Sequence, residues 1–124
     1  METIKVLVAV KSEALARVIQ HILHGQAGIS GIDFADSEQG LMEQAQRLCP
    51  GLIIVNSRLL GRDAAAALTQ LKRASPQSKL ILTCNFEEFS RSIGSGIVDA
   101  RVLDETLVQQ LPAIARRICC DDAA

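Results

Sequence analysis

The sequence contains no tyrosine and no tryptophan, and its only aromatic residues are three phenylalanines. Sites that bind single-stranded nucleic acid stack bases on aromatic side chains, so this shortage argues against such a site. The chain also lacks an excess of either charge, because 13 basic and 14 acidic residues give a net charge of -1. That balance gives no overall attraction for nucleic acid or an anionic membrane. We therefore expect neither as a partner of this chain.

The cysteine spacing and the short apolar runs exclude further classes. The four cysteines are Cys49, Cys84, Cys119 and Cys120, and none of them forms a Cys-x-x-Cys pair of the kind found in zinc or redox sites. We expect reduced thiols, with Cys49 and Cys84 buried as small hydrophobic residues. No apolar run approaches the roughly 20 residues that cross a bilayer, and residues 1–5 lack the pattern of a signal peptide. These features predict a cytoplasmic protein with no metal and no cofactor.

Aliphatic runs and segments of helical spacing alternate five times along the 124 residues. The runs predict strands at 4–10, 29–35, 52–55, 80–84 and 99–103, of which the second lies near a sheet edge. Such alternation is typical of an α/β fold with a parallel sheet covered on both faces. We expect one domain over residues 1–118 and a frayed tail over 119–124.

Capping and helix-breaking residues mark the segments between the strands. Ser12, Ser37 and Asp63 precede segments of helical spacing and are the expected N-caps of the first three helices. Residues 56–62 are expected to form a polar loop. The fourth helix, within 85–96, is the weakest because Gly94 and Gly96 interrupt it. Pro112 lies inside the last helix, which it should kink or divide.

The order and spacing of these elements resemble the receiver domain of bacterial response regulators from residue 4 to about residue 118. Five strings carry the resemblance: Ile4–Val8, Cys49–Asn56, Gly61–Asp63, Leu80–Thr83 and Asp99–Leu103. The resemblance implies a doubly wound, flavodoxin-like (βα)5 sheet of five parallel strands in the order 2-1-3-4-5. In such sheets the site lies beyond the carboxyl ends of the strands.

Receivers place a specific set of side chains at those strand ends. Two acidic residues after the first strand and an aspartate after the third hold magnesium, and that aspartate accepts the phosphoryl group. A hydroxyl follows the fourth strand and a lysine follows the fifth. The matching positions here are Val10 and Lys11, Asn56, Thr83 and Asp104, so only the hydroxyl is retained. The resemblance therefore implies a degenerate pocket, or pseudo-receiver, with no catalytic residue and no metal site.

Two of the substitutions exchange an acid and a base. Lys11 lies where an acid is expected, and Asp104 lies where the lysine is expected. One hypothesis is that Lys11 and Asp104 form an ion pair, directly or through Asn56, that holds the pocket in one state. The alternative is that both side chains are solvated, since an exposed pair contributes only about 0–1 kcal/mol.

Receivers commonly bind partners through the fourth helix, fifth strand and fifth helix. Carried over, this interaction face comprises Phe86, Phe89, Ser90, Arg101, Leu107, Val108 and Leu111. The leucines have the spacing of core residues, so Phe86, Phe89 and Arg101 are the better candidates.

The resemblance thus implies a non-enzymatic, phosphorylation-independent signalling module that binds a protein partner or a second copy of itself. Two alternatives remain open: a flavodoxin-like binder of a small ligand or nucleotide, and a receiver with displaced phosphoryl chemistry.

Overall fold

The structure, a computed structural model, describes residues 3–26, 28–61 and 63–121. Within these residues, five strands form one parallel sheet in the order β2-β1-β3-β4-β5. The strands are β1 Ile4–Ala9, β2 Ile29–Ala35, β3 Leu52–Asn56, β4 Lys79–Cys84 and β5 Ala100–Leu103. The expected α/β class and strand order are confirmed, and β2 lies at an edge as its composition predicted.

Five α-helices connect or follow these strands in the described part of the chain. They are α1 Glu13–His24, α2 Glu38–Leu48, α3 Ala64–Ala74, α4 Phe86–Ser90 and α5 Leu107–Asp121. The predicted N-caps of the first three helices are confirmed. Ser12, Ser37 and Asp63 each accept a hydrogen bond from a backbone N–H in the first turn of the helix that follows.

The sheet is packed between two helical layers. Successive side chains of a strand point to opposite faces, so Leu7 and Ile53 join a core with α2 and α3, while Val6 and Ile54 join a core with α1 and α5. All five residues of β3 are buried. Burial on both faces explains why the central strands are almost continuously aliphatic.

The structure differs from expectation at two chain segments near β3. The expected polar loop contains a 3₁₀ helix, Ser57–Leu60, because Leu59 and Leu60 are buried against the core shared with α2 and α3. Cys49, expected to be buried, is exposed at the end of α2 with a φ of 46°. Cys84 is buried, as expected.

Pro112 does not divide the last helix. α5 continues through Pro112 to Asp121, beyond the limit of 118 expected for the domain, and residues 122–124 of the expected tail lie outside the described residues. A proline at this position cannot donate to the carbonyl of Val108. The helix therefore continues past this turn with one backbone hydrogen bond fewer.

The segment between β4 and β5 contains only one short helix. α4 has five residues, and turns connect it to β5. Gly94, in these turns, has a φ of 76°, and a Cβ there would lie 2.9 Å from Leu82 Cδ2 and 3.1 Å from Leu68 Cδ1. The chain therefore needs a glycine here, both for the backbone conformation and for the close approach to the core.

We expect Gly94→Ala to lower the free energy of unfolding more than Gly96→Ala does. Both glycines have a positive φ, but a Cβ at Gly96 would meet nothing within 4 Å. Gly96→Ala should cost about 1 kcal/mol of backbone strain, and Gly94→Ala about 1–3 kcal/mol more from overpacking. Urea denaturation followed by far-UV circular dichroism measures both. Equal losses would contradict the close contact at Gly94.

Candidate functional site at the carboxyl edge of the sheet

The carboxyl ends of the strands bring most of the predicted pocket residues to one edge. Asn56 is the last residue of β3 and is paired with Thr83 of β4 in the sheet register. Asp104 directly follows β5, and Lys11 follows β1 by two residues. Val10 is buried in the core and donates its backbone N–H to the Ala35 carbonyl, so its side chain adds no polar group to the site.

The side chain of Asn56 connects the ends of three strands. Its Nδ2 donates to Thr83 Oγ1 at 2.9 Å and to Asp104 Oδ1 at 3.2 Å. Its Oδ1 accepts the backbone N–H of Arg58 at 3.1 Å. Both amide hydrogens and the carbonyl oxygen are thereby used. Asn56 is 4% exposed and Thr83 is fully buried, so these bonds satisfy polar groups that water cannot reach.

Asp104 is the charged member of this network. Partial burial raises the pKa of the Asp104 carboxyl, the nearby Arg58 opposes that rise, and Glu88 adds to it. Burial likewise raises the pKa of the Cys84 thiol, and Glu88 adds to this rise. Cys84 therefore remains a neutral core thiol, which is a poor nucleophile.

Lys11 and Asp104 share a cleft without pairing. The cleft has a volume of about 520 Å³ and is lined by Lys11, Ser12, Leu15, Asn56, Arg58 and Asp104. Lys11 is exposed, and the ion pairs of the described residues do not include one between Lys11 and Asp104. The hypothesis of a direct pair is therefore not supported. Asp104 is bound by Asn56, as the indirect version expected, but Lys11 takes no part.

A second polar connection, which was not predicted from the sequence, joins the end of β3 to α4. Ser57 Oγ donates to Glu88 Oε1 at 2.6 Å, and the same oxygen accepts the Asn85 N–H at 3.1 Å. Asn85 Oδ1 in turn accepts the Glu88 N–H at 2.8 Å, which completes a capping box. The Asn-x-x-Glu spacing is a local signal that could have predicted the box, whereas the bond from Ser57 spans 31 residues.

The expected interaction face is partly exposed and partly core. Phe86 and Val108 are 67% and 61% exposed, and Ser90 is exposed as well. Leu107 and Leu111 are 2% and 0% exposed in the core shared with α1. These two leucines contribute no surface, since they hold α5 against the sheet.

Phe89 and Arg101, also expected on that face, contact each other. The Arg101 Cζ lies 4.4 Å from the centroid of the Phe89 ring, and Arg101 Nη1 donates to the Phe89 carbonyl at 2.9 Å. Both residues are half-buried. The two contacts connect β5 to the end of α4.

The residues at the pocket do not fit a magnesium ion. Magnesium prefers several carboxylate and other oxygen ligands, but the side chains of Val10 and Lys11 supply none, and Asp104 is the one carboxylate among the residues that line the cleft. Among the residues that the structure describes, no group of three or more His, Cys, Asp or Glu side chains is placed to hold a metal ion. Nor does any described helix have the length and apolar character needed to cross a membrane.

No protein-family profile matches the chain. The chain is 28% identical over 118 residues to the response regulator protein VraR of Staphylococcus aureus, and this match covers 93% of the chain and 56% of VraR. The chain thus spans about half the length of the curated relatives it matches. This likeness supports the resemblance to response regulators that the order and spacing of the elements carry.

Solved structures of response regulators share the fold. The RcsB response regulator of Salmonella typhimurium has a TM-score of 0.81 at 15% identity, over 95% of this chain and 60% of RcsB. A receiver domain protein from Clostridium thermocellum has a TM-score of 0.80 at 13% identity, over 96% of each chain. At such low identities these structures establish the receiver fold alone.

We expect the free energy of unfolding of Asp104→Asn, taken relative to that of the unchanged chain, to increase as the pH rises from about 4 to about 7. Burial raises the pKa of Asp104, so the folded chain binds its proton more tightly than the unfolded chain does. The stability that this proton contributes is lost as the carboxyl ionises above its ordinary pKa of about 4. Asparagine keeps an oxygen acceptor for Asn56 without that loss. Urea denaturation at several pH values measures the difference, and Asp36→Asn, at an exposed aspartate, is the control. A constant difference would contradict the raised pKa.

We also expect the pKa of Asp104 to depend on Arg58 and not on Lys11. Arg58 is the cation that lowers this pKa, so Arg58→Met should raise it further, whereas Lys11→Met should leave it unchanged. Carboxyl carbon NMR of the two variants reports the titration directly. A rise in the Lys11 variant would show that Lys11 pairs with Asp104 in solution.

Proposed function

We propose that the chain is a receiver domain of the response-regulator family that signals without phosphorylation, by binding a protein partner. The likeness to VraR and the receiver fold support the family. The observation that carries the proposal is that the Asn56 side chain uses both amide hydrogens and its carbonyl oxygen in hydrogen bonds within the protein, at a position that the resemblance aligns with the phosphoacceptor.

The chemistry of these side chains disfavours phosphoryl transfer. An aspartate at the position of Asn56 would attack phosphorus with a carboxylate oxygen, and the amide that replaces it is not a usable nucleophile. Transfer also needs cations that neutralise the charge on the phosphoryl oxygens. Asp104 places a carboxylate where receivers have their lysine, and it would repel that group.

The hydrogen bonds at this edge favour a single resting arrangement. In receivers, the hydroxyl after the fourth strand senses the phosphoryl group. The corresponding Thr83 hydroxyl already accepts a bond from Asn56. The bond supplied by the amide is permanent, so the proposed module is constitutive with respect to phosphorylation and takes its specificity from its partner.

The face formed by α4, β5 and α5 is the proposed partner surface. It presents the exposed side chains of Phe86, Ser90 and Val108, and exposed apolar side chains of this size are common where proteins bind one another. The partner is a cytoplasmic signalling protein or a second copy of the chain. No enzymatic step is part of the proposed role.

We expect magnesium and then beryllofluoride to leave the amide NMR signals of Lys11, Asn56, Thr83 and Asp104 unchanged. Beryllofluoride imitates a phosphoryl group on a receiver aspartate, and here neither the nucleophile nor the magnesium ligands are present. Incubation with acetyl phosphate should likewise add no mass. Shifts that spread from Asn56 to Arg101 would overturn the proposal and favour a receiver with displaced chemistry.

Asn56→Asp is the matched variant for this titration, and a phosphorylatable receiver is the positive control. The variant restores the carboxylate but not the ligands at Val10 and Lys11, so it should remain inert. Its new carboxylate would also lie about 3.2 Å from Asp104 Oδ1 if the geometry is kept. Phosphorylation of the variant, but not of the unchanged chain, would show that Asn56 alone blocks the chemistry.

A further inference from the structure

The shortness of α4 leaves it without the usual sources of helix stability. It has five residues, none of which is fully buried. Isolated helices shorter than about 12–15 residues are marginal in water, and most helices in proteins depend on a buried apolar face. α4 has no such face, so other contacts must hold it in place.

One anchor holds the N-terminal end of α4. Glu88 Oε1 accepts from Ser57 Oγ at 2.6 Å and from the Asn85 N–H at 3.1 Å. A single carboxylate therefore caps the helix and binds it to the end of β3. Ser57 directly follows Asn56, so this anchor connects α4 to the polar network of the pocket.

A second anchor holds the C-terminal end. Arg101, on β5, donates to the Phe89 carbonyl at 2.9 Å and places its guanidinium 4.4 Å from the centroid of the Phe89 ring. The Phe89 carbonyl also accepts the Ser92 N–H at 3.1 Å, and carbonyl groups at the end of a helix attract positive charge. Arg101 thus caps α4 from the neighbouring strand and packs against its only half-buried aromatic ring.

We propose that Glu88 and Arg101 are positioning residues that hold α4 against the sheet, and that releasing either lets α4 unfold locally while the sheet stays intact. Local unfolding of this kind involves segments with few buried contacts. The segment would open between Asn85, which directly follows β4, and Gly94, which lies close to Leu82 and Leu68. Phe86 lies in this segment, so the two anchors control how it is presented to a partner.

This inference rests on the proposed function, because it describes how the proposed partner surface is regulated. The contacts of Arg101 with Phe89 would fix α4 independently of any phosphoryl group. A partner that binds Phe86 would contact an ordered helix when the contacts of both anchors are formed, and a flexible segment when those of either anchor are broken.

The test compares two pairs of matched variants by amide exchange with water, measured by NMR without any phosphoryl donor. Arg101→Ala is paired with Arg91→Ala, and Glu88→Ala with Glu87→Ala. Arg91 and Glu87 form an exposed ion pair on the same segment, so these controls remove the same charges without breaking an anchor. Arg101→Lys adds a conservative variant that keeps the charge but lacks the planar donor geometry.

We expect Arg101→Ala and Glu88→Ala each to speed exchange at the amides of Phe89, Arg91 and Ile93 by about tenfold or more. That factor corresponds to losing one hydrogen bond to a charged group. Amides of β1 and β3 should be unchanged, the two controls should have little effect, and Arg101→Lys should recover part of the protection.

Three results would overturn the inference: no change at the α4 amides, equal changes in the control variants, or an equal loss of protection throughout the sheet. The outcomes are separate from those of the phosphorylation test. If the chain responds to beryllofluoride and the anchor variants still speed amide exchange in α4, the proposed function alone is refuted. If the chain does not respond and the anchor variants leave exchange in α4 unchanged, this inference alone is refuted.

Discussion

The side-chain amide of Asn56 is the interaction on which the carboxyl edge of the sheet depends. The amide donates to Thr83 on β4 and to Asp104 after β5, and thereby joins three neighbouring strand ends. Because Asn56 and Thr83 are buried, the bonds also satisfy groups that would otherwise be costly to remove from water. An aspartate at this position would have no hydrogen to donate.

The same geometry determines which charges the pocket can accept. Asp104 is bonded to Asn56, and Glu88 lies close enough to raise the pKa of Asp104 further. The Glu88 and Asp104 carboxylates therefore place negative charge near the end of β3. Lys11 and Arg58 also line the cleft, but the described ion pairs leave Asp104 without a cation within 4 Å. The negative charge at this edge is one of the observations behind the proposed independence from phosphorylation.

Two parts of the domain are stabilised by different kinds of contact. The sheet and the helices α1, α2, α3 and α5 are held by buried aliphatic side chains on both faces. α4 is held by side-chain hydrogen bonds and one cation–π contact. Burial of apolar area is distributed over many contacts, so no single aliphatic residue controls the core of the sheet. The contacts of α4 are few, and individual residues can control it.

The sequence by itself determined the strands and the order of the elements along the chain. These features are local: the short, β-branched run Leu52–Val55 favours a strand buried on both faces, and Ser12, Ser37 and Asp63 cap the helices that follow them. Only the tertiary structure decided which strand-end side chains meet. The bond from Ser57 to Glu88 and the direction of Lys11 depend on how distant segments pack and on which rotamer each side chain adopts. Sequence spacing determines neither the packing of distant segments nor the rotamers, because a hydrogen bond needs atoms placed to within a few tenths of an ångström.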